Sequence, residues 1–278
     1  MKSSTELKFF TLLLCCFFVR MLSGQNLINN PSFEDYSTCP ETAGELDRAN
    51  FWINTFGSTD YFNTCAVFPT GGNIQTVEVP NNYYGIQEPR TGEAYAGYSN
   101  DEYMTGELIE PLIAGECYYV EFYVSRGEEF GAAEAPHDFG LFFTEGEDDI
   151  NFGAGIPTPQ IQINEVTTNQ TDWTLVSGTF NAVGGERYMA IGDPYDIFFT
   201  SYHFIDDVKV ILIEEEPQNI YVCDGDCYSL NGVDYCDAGT YEVTLGDAAV
   251  GCTETFNLIV NESPPAITIT EPPVFDCS

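Results

Sequence analysis

Hydrophobic and polar positions alternate with a period of two in several short runs along the chain. Between Cys117 and Ser125 (CYYVEFYVS), Tyr118, Val120, Phe122 and Val124 fall on one face, and Tyr119, Glu121 and Tyr123 on the other. That period marks a strand with one face turned to a core. Phe139, Leu141 and Phe143 repeat it, and the runs Trp173–Phe180, Tyr188–Ile191 and Tyr202–Ile213 continue it. In the last run Phe204, Val208, Val210 and Leu212 read onto one face, and strict alternation puts Asp206 there as well. No window of twelve or more residues shows a convincing 3.6-residue period. Short strands, punctuated by 25 Gly and 15 Pro, predict an all-β chain. The expected architecture is an antiparallel jelly-roll β-sandwich followed by a small disulfide-stapled β module.

The ends of the chain read differently from its middle. Residues 1–24 have the form of a secretory signal peptide: Lys2 and Lys8, the eleven-residue apolar run Phe9–Val19, then Ser23 and Gly24. That run is too short to span a bilayer, and no other apolar stretch approaches 18 residues, so no membrane insertion of the mature chain is expected. Residues 25–213 are enough for one sandwich core. Residues 214–219 open with Glu214-Glu215-Glu216-Pro217 and read as a linker. Residues 220–261 form the small module. Residues 262–278 read as a linker or the start of a further, truncated module.

Eight Cys follow the signal segment, an even number that suits disulfides in an exported chain. Asn231-Gly232 lies between Cys227–Leu230 and Val233–Cys236, a strong two-residue hairpin signal that brings Cys227 towards Cys236. Cys223 and Cys252 are left to bracket the module, although four Cys allow three connectivities. About 45 residues cannot build a self-sufficient core, so two bridges of roughly 2–4 kcal/mol each are the expected staples. Cys39 and Cys65 flank the first loops and suit a third bridge. Cys117 is left to pack as a small hydrophobe or to pair with Cys277.

Charge narrows the function. The chain carries 44 Asp+Glu against 8 Lys+Arg, net −36. Losing Lys2, Lys8, Arg20 and Glu6 with the signal takes the net to −38. Such a chain repels phosphate backbones and anionic membranes, which excludes a nucleic-acid partner. Its content of 44% hydrophobic and 14% aromatic residues argues against disorder. Only His137 and His203 are present, with no G-x-S-x-G and no H-E-x-x-H. A glycosidase needs only two carboxylates, but no acid stands out in context, so a non-catalytic protein is expected.

Five segments in order resemble a known group: Asn26-Leu-Ile-Asn-Asn-Pro-Ser-Phe-Glu34, Val79-Pro-Asn-Asn-Tyr-Tyr-Gly85, Glu88-Pro-Arg-Thr-Gly-Glu-Ala-Tyr-Ala-Gly97, Tyr119–Ser125 and Tyr202-His-Phe-Ile-Asp-Asp-Val-Lys-Val210. Residues 25–213 thereby resemble the carbohydrate-binding-module-like (galactose-binding-like jelly-roll) N-terminal domain of secreted surface proteins from gliding Gram-negative bacteria. Residues 220–260, with Cys223-Asp-Gly-Asp226, Asn231-Gly-Val233, Ala238-Gly-Thr-Tyr241 and Gly251-Cys252, resemble a short β repeat of the same proteins. The resemblance implies first and last strands that lie close together. It also implies a structural Ca²⁺ held by Glu34 and Asp206, with Asp207 a weaker third candidate and backbone carbonyls completing an oxygen shell; the alternative reading of these residues is carboxylates hydrogen-bonded to turn amides or paired with Arg90 or Arg48.

Sugar-binding modules use flat aromatic faces and planar polar groups. Trp52, Tyr61, Tyr83 and Tyr84 are the stacking candidates, and Gln87, Glu88 and Arg90 the hydrogen-bonding ones. Trp173 reads as core. The expected function is a secreted, calcium-stabilised surface protein that binds a glycan or adheres. The alternatives are a structural or adhesive spacer for a cell-surface protein partner and, last, a glycoside hydrolase domain.

Overall fold

The computed structural model describes residues 25–66, 75–99, 102–128, 138–147, 149, 158–164, 169–192, 202–213, 218–222, 227–246 and 252–262. The signal segment, His137, residues 214–217, Cys223, Asp224-Gly-Asp226, Cys277 and residues 263–278 lie outside them.

Among the described residues, one 3₁₀ turn (Leu46–Arg48) is followed by strands alone as regular elements. In order these are β1 (Trp52–Phe56), β2 (Asp60–Asn63), β3 (Asn81–Asn82), β4 (Gly85–Ile86), β5 (Ala94–Ser99), β6 (Tyr103–Glu107), β7 (Cys117–Arg126), β8 (Asp138–Thr144), β9 (Ile161–Asn164), β10 (Thr174–Asn181), β11 (Tyr188–Gly192) and β12 (Tyr202–Leu212). There follow β13 (Gln218–Val222), β14 (Tyr228–Leu230), β15 (Val233–Tyr235), β16 (Gly239–Gly246) and β17 (Thr253–Glu262). Two five-stranded antiparallel sheets form a sandwich, sheet I in the order β1-β6-β11-β8-β9 and sheet II in the order β10-β7-β12-β5-β2. From β5 to β8, and from β10 to β12, each strand crosses to the opposite sheet, which is jelly-roll winding.

The expected alternation on β7 holds. Tyr118, Val120, Phe122 and Val124 enter the core between the sheets, where Phe139, Leu141, Phe143, Met189, Ile191 and Trp52 meet them. Burying each such side chain contributes roughly 1.5–3 kcal/mol. The opening segment ties the sheets together: Leu27 N donates to Val210 O at 2.7 Å, and Ile109 N donates to Leu27 O at 2.7 Å.

β12 departs from strict alternation. Asp206 pairs with Tyr123 and Lys209 with Glu121, so Asp207 and Val208 together oppose Phe122. Asp207 takes φ +51°, and this extra residue is a β-bulge. The bulge resets the faces. Ile205, Val208, Val210 and Leu212 point into the inter-sheet core, whereas Phe204 belongs to a separate cluster on the outer face of sheet II. Asp206, one step from Ile205, shares that outer side. The single face expected for Phe204, Asp206, Val208, Val210 and Leu212 is thus corrected.

The second unit is not held by bridges alone. β13 begins at Gln218, inside the stretch read as linker, and runs parallel to β17, which pairs antiparallel with β16. β16 and β17 bury Val243, Leu245, Phe256, Leu258 and Val260 on one face. That face packs on Tyr119, Ile211 and Ile213 of the sandwich, with Leu230 from the hairpin, in one continuous cluster. The Asn231-Gly232 turn has φ +50° and +70°, as a type I′ hairpin needs. It lands on β7, where Asn231 N and Tyr119 OH both donate to Glu121 Oε2 at 2.8 Å. Lys209 Nζ completes the anchor 2.8 Å from Glu121 Oε1.

Cys39–Cys65 and Cys227–Cys236 are bridged, with Cα–Cα distances of 5.6 and 4.1 Å. The expected Cys223–Cys252 bridge is corrected, and so is the free or Cys277-paired Cys117. Cys252 bonds Cys117, 135 residues away, with Cα atoms 5.9 Å apart. The cause is docking: β17 starts over the end of sheet II where β7 starts, and Thr179 Oγ1 of β10 donates to Cys252 O at 2.6 Å beside the bridge.

Candidate functional site

The outer face of sheet II is the broad surface a jelly roll offers, and here the chain covers most of it. The second unit covers one end. At the other end the segment around Val77 and Tyr84 folds over Phe62, Tyr95, Tyr202 and Phe204. The Tyr84 and Tyr202 rings stack with centroids 3.5 Å apart. Beneath them Tyr202 OH and Gly44 N donate to the buried Asp60 carboxylate. Burial outweighs those hydrogen bonds and pushes the Asp60 carboxyl up to about 7.

This arrangement settles where the expected stacking residues lie. Trp52 is 1% exposed, packs on Phe33 with centroids 4.6 Å apart, and donates Nε1–H to Asn30 O at 2.9 Å. Tyr61 is fully buried and donates to Phe33 O at 2.9 Å. Both are core residues, because they sit on β1 and β2 facing the inter-sheet core, with the opening segment around Asn30 and Phe33 packed on them. Tyr84 is stacked away under the same cover. Gln87 is buried too: its Oε1 accepts from Ser125 Oγ, and its Nε2 donates to Glu88 O at 2.9 Å. Four of the seven candidates are therefore structural. Tyr83 (42% exposed) and Glu88 remain at the surface, and Arg90 is half-buried.

Glu34, Asp206 and Asp207 do gather, around the loop Arg90–Ala94. Asp206 is wholly buried. Its Oδ2 accepts from Arg90 N at 2.9 Å and Thr91 N at 3.3 Å, and its Oδ1 from Asp207 N at 2.7 Å. Glu34 Oε1 accepts from Glu93 N at 2.8 Å and Ala94 N at 2.9 Å. Asp207 takes the Arg90 guanidinium and the Thr91 hydroxyl. Gly92, at φ +63°, lies so close to the Glu34 carboxylate that a Cβ would collide with it. Burial raises the carboxyls of Asp206 and Glu34, and neighbouring Asp207 raises Asp206 further. Calcium needs converging oxygens. These carboxylates are instead occupied by N–H and O–H donors, and no group of three or more His, Cys, Asp or Glu gathers as a metal site among the described residues. The arrangement fits a clamp on the 90–94 loop, and no metal is assigned to it.

One strip of sheet II stays between the two covers. Trp173, just ahead of β10, is half-buried rather than core; its Nε1 donates to Glu88 O at 3.1 Å and its ring meets Tyr95 edge-on, 5.9 Å away. Leu175 and Tyr123, paired across β10 and β7, form the adjoining floor. The Arg90 guanidinium lies 3.4 Å over the Tyr123 ring. The strip thus offers a pinned indole, a stacked guanidinium and, beside the indole, the exposed residue Glu88. Such a set can stack on a pyranose ring and bond its hydroxyls. Trp173 was misread because it heads an alternating run. The signal was the Asn169–Asp172 turn before it, closed by Asn169 Oδ1 accepting from Thr171 N and Asp172 N, which places Trp173 at a strand entrance.

No family model matches the chain, and no curated protein matches its sequence. Among solved structures it is similar to the CBM22-1 xylan-binding domain of Paenibacillus barcinonensis Xyn10C, with TM-score 0.40, 13% identity, and 69% of this chain and 97% of that one covered. It is similar to the K1 cleaved adhesin domain of Lys-gingipain from Porphyromonas gingivalis W83, with TM-score 0.37, 13% identity and coverage of 67% and 98%. It is also similar to the C-terminal CBM6 of LamC from Zobellia galactanivorans, with TM-score 0.28, 17% identity and coverage of 43% and 81%. At these identities and scores the likeness carries no statement about ligand. Among the described residues no helix is long and apolar enough to cross a membrane.

The Asp60 carboxyl makes stability depend on pH. Its folded value near 7 lies above the unfolded value of 3.8, so folding favours the protonated form. That contribution is fully present below the unfolded value and is lost as pH rises to about 7. Three pH units correspond to a limit on the order of 4 kcal/mol. Asp206 and Glu34 act in the same direction. Asp60→Asn should therefore lose less melting temperature between pH 5 and pH 8 than the parent chain. Equal losses would remove Asp60 from the account.

Proposed function

We propose that this chain is an exported, non-catalytic binding module that takes a glycan on the Trp173–Glu88–Arg90 strip. The observation that carries the reading is Trp173 itself. Its ring is held by Glu88 O and Tyr95 yet half open, while Trp52, Tyr61 and Tyr84 are packed away. Three bridges among the described residues favour an oxidising, extracellular setting. The non-catalytic reading is supported by the perturbed carboxylates. Asp60 and Asp206 are sealed under loops and bonded to Tyr202 and to backbone amides rather than open to a cleft. His203 is likewise buried, against Tyr98 and Phe139. Adhesion to a glycan-bearing surface is the role this chemistry serves.

Glycan-array and affinity-gel measurements on the mature chain test the reading. Trp173→Ala should weaken binding at least tenfold, and Trp52→Ala should act only through loss of folding. Retained binding in a folded Trp173→Ala protein would reject the strip. The clamp reading of Glu34, Asp206 and Asp207 also has a direct check. Excess chelator should leave the melting temperature unchanged, and a fall would restore the calcium that the sequence resemblance implies.

A further inference from the structure

We propose that the β14–β15 hairpin of the second unit forms the second wall of the Trp173 strip, and that the ligand held between the walls is an uncharged glycan. The inference rests on the strip being the ligand site. Three observations place the hairpin there. The Asn231-Gly232 turn is fixed to Glu121 and Tyr119 on β7, the next two positions along from Tyr123 on the same face. A Cβ built on Gly232 would lie 3.2 Å from Leu175 Cδ2, so the turn abuts the floor of the strip. Asp234, on the outgoing arm of the hairpin, lies within electrostatic reach of Tyr123, as Arg90 does. Tyr123 and Leu175 are thus flanked by Arg90, Glu88 and Trp173 on one side and by Gly232–Asp234 on the other.

This second wall is held in place from below. Glu121, buried, is engaged by Lys209, Tyr119 and Asn231 N, and Lys209 Nζ also donates to Ser229 O at the base of the hairpin. Leu230 is fully buried under the turn. Val233 and Asp234 themselves are exposed. The wall therefore carries Val233 and Asp234, exposed on alternate faces of β15 with Asp234 Oδ1 accepting from Ser229 Oγ, on a fixed base, the arrangement that preorganised binding surfaces use to limit the entropy lost on association.

Charge selects the ligand class. The strip carries the carboxylates of Glu88, Asp207 and Asp234 against the single guanidinium of Arg90, which Asp207 already neutralises. A polyuronate or sulfated chain would meet net repulsion there and from the rest of the acidic chain. A neutral chain meets hydroxyl-bonding groups on both walls and an indole to stack on.

Affinity gels loaded with arabinoxylan, laminarin or galactan as neutral probes, and with polygalacturonate or alginate as anionic ones, provide the test on the full mature chain. The parent protein should be retarded by at least one neutral probe and by neither anionic one. On that probe Val233→Glu and Asp234→Ala should each cost at least fivefold in affinity, with the near-UV circular dichroism unchanged. Trp173→Ala should lose binding as well. If Trp173→Ala loses binding while both hairpin variants bind like the parent, the second wall is rejected and the strip stands. If Trp173→Ala also binds like the parent, the strip itself fails. Retention by an anionic probe, or by no probe at all, overturns the uncharged-glycan assignment.

Discussion

Burial of the outer face of sheet II is the constraint on which the rest of this structure depends. An antiparallel sheet can leave one face in water only when that face is polar. Here it carries Tyr119, Ile211, Phe62, Tyr95, Tyr202 and Phe204. Such a surface, left open, would be a patch for aggregation or association. The chain resolves this with two covers of its own, the Val77–Tyr84 segment and the second unit. The second unit has the complementary problem, being too small to bury Val243, Leu245, Phe256, Leu258 and Val260 within itself. Docking one on the other solves both. Glu121, a carboxylate in the middle of the joint, fixes the register through Lys209, Tyr119 and the hairpin turn.

A single inserted residue organises the other half of the site. Without the bulge at Asp207, strict alternation back from Val208, Val210 and Leu212 would turn Asp206 into the inter-sheet core, where an ionised carboxylate is costly. The bulge turns Asp206 outward onto the amides of Arg90 and Thr91 and leaves Asp207 to hold the Arg90 guanidinium. Arg90 is thereby set over Tyr123, beside Trp173. The geometry of the proposed glycan strip follows from one backbone irregularity in β12.

How much of this was legible in the sequence differs by element. The core strands were, because β7 and β8 obey alternation without interruption. The Asn231-Gly232 hairpin and its Cys227–Cys236 bridge were, because a type I′ turn is local chemistry. The bulge was not, since Asp206-Asp207 carries no glycine to announce it. The Cys117–Cys252 bridge was not, since it depends on how two units pack. The ligand candidates Trp52 and Tyr61 were misplaced because β1 and β2 are too short and irregular for periodicity to show that these residues face the inter-sheet core. Trp173 was missed for the converse reason: a residue at a strand entrance can share the strand's period and still lie at the edge of its cover.

The docked second unit is the central claim, and the covalent joint tests it most directly. Non-reducing proteolysis of the exported chain with mass mapping of the disulfides should recover Cys117 linked to Cys252. Recovery of Cys223 linked to Cys252, with Cys117 bridged elsewhere or free, would contradict the docking and with it the second wall of the Trp173 strip.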